Sequence, residues 1–183
     1  FGFFSKKPSI SGFTLVPPLF NHLEFNGAMY KIAHIALSVQ TFFDIPSSCQ
    51  ILPMPSATLL ICPQEKRKLY FLPKKSQPIQ EIQELQITTE NFLNLCITIL
   101  NNANSKLNNI VQPIKLEEIN IAPMLNLTSI PNEWTIAAFG VIKMAQKLVE
   151  IINEISKVKV DDENESSFMN FITNEDGSSF DLV

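Results

Sequence analysis

Two histidines, three cysteines and eighteen carboxylates are the side chains of this 183-residue chain best suited to catalysis or metal binding. A zinc or transition-metal centre needs three or four ligands, and local pairs usually supply some of them. His22 and His34 stand twelve apart, outside any HExxH or HxH pattern and with no neighbouring cysteine, so no metal site is expected. His34, between Ala33 and Ile35, reads as a satisfied or exposed helix histidine rather than a general base. Cys49, Cys62 and Cys96 are spaced by 13 and 34, which matches neither a disulfide framework nor a CxxC pair. They are expected to be reduced and mostly buried, with a cytoplasmic location following from that. A nucleophile pair such as Cys49 with His22 would have to meet in space, and nothing in the sequence raises it above chance.

Glu117 and Glu118 are adjacent, so on a strand they point to opposite faces and suit a solvated edge better than an acid and base pair. There is no GxSxG elbow, and five glycines at positions 2, 12, 27, 140 and 177 cannot build a GxGxxG turn or a GxxxxGK[ST] loop. One arginine in the whole chain disfavours specific phosphate or DNA recognition. The expectation is therefore no catalytic residue, no cofactor and no enzymatic activity.

What remains is charge and apolar surface. Lys66, Arg67, Lys68, Lys74 and Lys75 put five positive charges within ten residues, with Tyr70 and Phe71 between them. Lysines on an edge hairpin block unwanted strand pairing. The same cluster could dock an acidic partner, or single-stranded nucleic acid or an anionic surface. The net charge of −4 conceals its counterpart: residues 159 to 183 hold seven acidic side chains against Lys159, giving −6, and the remainder carries +2. This tail also bears Phe168, Met169, Phe171 and Ile172, then Phe180, Leu182 and Val183, a mixture typical of segments that order on a partner. Phe180-Asp181-Leu182-Val183 resembles the aromatic-x-x-aliphatic motif recognised by ubiquitin-like autophagy modifiers, and also a carboxyl-terminal PDZ ligand.

The elements that must position these features follow from periodicity. A short strand is expected near Phe13 to Val16, and a helix over 28 to 43 from the Met29, Ile32, Ala36, Val39, Phe43 stripe, capped by Asn26. Ala57 to Cys62 and Leu69 to Leu72 read as a hairpin whose polar turn, Gln64 to Arg67, makes a basic tip. Lys74 to Pro78 is a linker. Ile79 to Leu85 suits a short helical turn, with Thr88 or Thr89 capping a longer helix through Val111 that buries Phe92, Cys96, Ile99, Ala103, Leu107 and Ile110. Pro113 ends it, and Ile114 to Ala122 reads as a bulged strand.

The final helix has the strongest pattern. Trp134, Ala138, Val141, Ala145, Leu148, Ile152 and Ile155 step by four and three, and Ala137, Met144, Ile151 and Val158 widen the seam. Such a face suits a helix lying across its own sheet, or one shared with another subunit.

These elements define an α+β fold: a small, mainly antiparallel sheet covered by two or three helices, with a single domain at residues 1–158 and an acidic tail at 159–183. The function expected is a non-enzymatic protein–protein interaction subunit, an adaptor or chaperone-like component. Its partner, another protein chain, would engage the basic cluster (Lys66, Arg67, Lys68, Tyr70, Lys74, Lys75), the last helix (Trp134, Val141, Leu148, Ile152, Ile155) or the tail (Phe168, Phe171, Phe180, Val183). The alternatives are a small-molecule or lipid-binding domain, or an enzyme with a dispersed pocket, and an anionic-surface or single-strand binder using residues 66–75. No apolar run approaches the length needed to span a bilayer.

Overall fold

A computed structural model describes residues 9–18, 20–72, 78–108 and 131–159. The expected strand at 114–122, Lys74, Lys75 and residues 160–183 of the tail lie outside the described residues. In chain order the elements are β1 (Ser9–Ile10), β2 (Phe13–Thr14), α1 (His22–Phe42), β3 (Gln50–Leu52), β4 (Leu59–Cys62), β5 (Glu65–Lys68), α2 (Ile79–Lys106) and α3 (Pro131–Lys159). Among the described residues, three helices and two small antiparallel sheets make the fold α+β, as the periodicity implies.

α1 begins six residues earlier than the apolar stripe suggests. Asn21 is its cap, its side-chain oxygen accepting from the Glu24 amide at 3.2 Å. Asn26, expected as that cap, is instead buried inside the first turns. Asn26-Gly27, a sequence pair that often makes a hairpin turn, makes none here. Gly27 is helical, and the Phe13 ring lies so close that an added Cβ would stand 2.3 Å from it, so the β1–β2 hairpin can lie directly on α1. The Glu24 carboxylate accepts from the Thr14 amide, tying the same hairpin to the helix start.

α2 is one unbroken helix of 28 residues. Thr88 and Thr89 lie within it rather than at its start, and their hydroxyls donate back to the carbonyls of Glu84 and Leu85, each at 2.7 Å. The expected buried face is present in Phe92, Cys96, Ile99 and Ala103, with Leu107 partly covered.

The seam of α3 is buried as a stripe, but its cover is not the sheet. α3 packs on α1 and α2, so the core is a three-helix cluster with the two sheets at its margin. Trp134 fixes one end: its indole N–H donates to the Leu15 carbonyl at 3.1 Å, and its ring lies 6.4 Å from that of Phe25.

The three-stranded sheet runs in the order β3-β4-β5. β5 is the run Glu-Lys-Arg-Lys, so the basic residues form a strand rather than a tip, and the turn is the pair Pro63–Gln64. Residues 69 to 72, expected as the second strand, follow β5 outside any strand.

Candidate functional site

β5 carries no hydrophobic residue, so its strand conformation comes from its partner. The register pairs Leu60 with both Ile51 and Arg67, and the first two are buried, which places Arg67 in the row facing the helices. Lys66 and Lys68 stand opposite Ile61 and Leu59 in the outer rows. Two residues beyond Arg67, the Leu69 amide donates to the Thr58 carbonyl at 2.9 Å, still toward β4. Antiparallel alternation then turns the amides and carbonyls of Lys66 and Lys68 away from β4. Among the described residues no strand pairs with β5 on that side. The basic strand is therefore an edge, offering main-chain donors and acceptors as well as cations.

This edge forms one wall of a groove of about 400 Å³. The other wall is the first turns of α2, with Glu81, Glu84 and Ile87, and the floor is Phe71 and Leu85. Leu72 and Ile87 are each 50% exposed, which leaves apolar surface at the mouth. Arg67 is held by Glu65 at 2.5 Å, and the Lys68 ammonium sits 5.9 Å from the centre of the Tyr70 ring. The described charges facing the groove divide by wall, basic on β5 apart from Glu65 and acidic on α2.

Asn26 sets where β5 leaves the sheet. Its amide donates to the Phe71 carbonyl at 3.1 Å, and its oxygen accepts from the Phe71 amide at 2.8 Å, all in the interior. One side chain on α1 thus satisfies both main-chain groups of the residue that floors the groove.

The cysteines depart from expectation. Cys49 and Cys62 form a disulfide across the position that continues the β3–β4 ladder beyond Gln50 and Ile61, with their Cα atoms 4.3 Å apart. That pair is a non-hydrogen-bonded one, where opposing strands approach most closely. Two of the three thiols expected to be reduced are thereby joined, and Cys49 is not available as a nucleophile for His22. Cys96 is a free thiol as expected, and complete burial pushes its pKa far above the usual thiol range, which keeps it protonated and unreactive. A second, open depression beside the disulfide has Asp44, Ser47 and Ser48 in its lining but no histidine. Among the described residues no three His, Cys, Asp or Glu side chains gather as metal ligands. No described helix is long and apolar enough to cross a membrane.

Of the residues singled out for partner binding, Lys66, Arg67, Lys68 and Tyr70 line the groove together. Trp134, Val141, Leu148 and Ile155 do not join them. They are buried in the chain's own core, with Ile152 half-buried beside them. Lys74, Lys75, Phe168, Phe171, Phe180 and Val183 lie outside the described residues. The wall supplied by α2 carries no signal in the sequence, because Ile87 falls off the helix's apolar stripe. Comparison with known proteins gives no match: no family model fits the sequence, and no curated protein or solved structure is significantly similar to it.

Proposed function

We propose that this chain is a non-enzymatic protein-interaction subunit that receives an extended segment of another protein along β5, by strand addition. The observation that carries this reading is the edge itself: the outward amides and carbonyls of Lys66 and Lys68 border a groove with half-exposed Leu72 and Ile87 at its mouth. Main-chain pairing gives such a site affinity, and alternate side-chain contacts give it selectivity. The segment that fits carries acidic side chains toward β5 and one or two large apolar residues toward Ile87. Lysine on an edge strand also discourages indiscriminate pairing, so the site would select for segments that neutralise it. The Cys49–Cys62 bridge suits an oxidising compartment, and it removes the basis on which a cytoplasmic location was expected.

The test separates backbone from side chain. Fluorescent acidic-apolar peptides are titrated against wild type, Lys68→Ala and Lys68→Pro, with binding read by anisotropy. Because the Lys68 amide faces away from β4, proline there removes an edge donor without taking one from the ladder. Lys68→Ala is expected to weaken binding by less than about tenfold, and Lys68→Pro by far more. Equal losses in the two variants would leave a purely electrostatic surface, and no binding either to wild type or to a Phe168→Ser/Phe171→Ser variant would end the proposal.

A further inference from the structure

We infer that the groove is occupied in cis by the chain's own acidic tail, through residues 163–176, which a partner must displace. This rests on the strand-addition reading above and names its regulation. The segments of the chain outside the described residues are the candidates for an internal occupant. Residues 1–8 and 73–77 are basic through Lys6, Lys7, Lys74 and Lys75, and 109–130 contain Pro113 and Pro123, with Pro131 at their border. Only the tail is strongly acidic, and from Val160 to Asp176 it contains neither proline nor glycine, so nothing in it forbids a strand.

Its layout matches the site. Glu163 and Glu165 precede Phe168-Met169-Asn170-Phe171-Ile172, and Glu175 and Asp176 follow. Five residues in extended form cover about 17 Å, close to the length of β5 and the residue or two beyond it. Acids at both ends flank an apolar centre, and the strand they would join carries Lys66 and Lys68 and is followed by Tyr70 and Leu72. Reach is ample. Phe168 and Ile172 lie 9 and 13 residues beyond the end of α3, an extended reach of about 30 to 43 Å, against about 44 Å for the 29 residues of α3 itself, so the segment can return along most of that helix. A tethered strand acts at an effective concentration in the millimolar range, which lets a weak cis contact screen the site and a tighter partner replace it.

The experiment is amide hydrogen exchange, resolved by residue, on the full chain and on Phe168→Ser/Phe171→Ser, whose changes lie outside the described core. The Lys66 and Lys68 amides are expected to exchange at least about tenfold more slowly in wild type than in the variant, with protection lost in high salt and independent of protein concentration. Equal exchange in the two proteins overturns the inference, and so does protection that grows with concentration, which would assign the strand to a second copy. A synthetic peptide of residues 163–176 added to the variant separates the two readings. If it protects Lys66 and Lys68 where the wild-type tail does not, cis occupancy fails and strand addition stands. If it does not protect them either, both fall.

Discussion

Asn26 shows how one polar side chain can position a binding surface without touching a ligand. It lies within α1, 6% exposed, and holds the amide and carbonyl of Phe71 in a closed pair of hydrogen bonds. From the sequence it reads as a cap or a turn residue, because asparagine beside glycine usually serves those roles, and its true partner is 45 residues away. Asn26→Ala removes both bonds and leaves a buried N–H and C=O with nothing to replace them. Each costs about 1–3 kcal/mol, so the variant is expected to lose about 2–6 kcal/mol in urea unfolding. The Phe71 segment floors the groove, so peptide affinity should fall as well, by more than for an exposed control such as Gln80→Ala.

At the scale of elements, legibility followed how much each piece depends on its neighbours. α3 is written in its own seven-residue pattern, which shows its buried stripe but not the helices that cover it. α2 reads as two pieces because Thr88 and Thr89 resemble caps, and only the hydroxyl bonds to the preceding turn show how a helix absorbs them. β3 and β5 were hidden for a common reason: three residues beside Pro53 and four charged residues have no strand signal apart from β4 between them. The disulfide was hidden too, since what brings Cys49 opposite Cys62 is the register of β3 on β4 and not a spacing of 13. That bridge closes a loop for which chain entropy gives about 3 kcal/mol of stabilisation. Cys49→Ser/Cys62→Ser is expected to lower unfolding free energy by about 2–3 kcal/mol. Native wild type should present no rapidly alkylated thiol, since Cys96 is buried and protonated, whereas mild reduction should expose two. Rapid alkylation of the unreduced protein at Cys49 or Cys62 would show that the bridge is absent.

For the molecule as a whole, the question is where its apolar surface is spent. A seam of this breadth could have been half core and half interface. In the fold, Trp134, Ala138, Val141, Ala145, Leu148 and Ile155 all turn to α1 and α2, and among the described side chains of α3 the large apolar ones left in water are Ile136 and Phe139, 63% and 49% exposed. The two sets make opposite predictions. Leu148 is fully buried, so Leu148→Ala should cost about 2–5 kcal/mol through lost contacts and an unfilled cavity. Ile136→Ser and Phe139→Ser should each change stability by less than about 0.5 kcal/mol. Sedimentation equilibrium distinguishes a core role from an interface role for the seam. If the seam is core, Leu148→Ala lowers the urea midpoint at every protein concentration and leaves the mass of the folded species unchanged. A midpoint that rises with concentration in wild type and ceases to do so in Leu148→Ala would place a second chain against α3. The β5 groove would then be one of two contact surfaces, and strand addition would no longer account alone for how this subunit joins a complex.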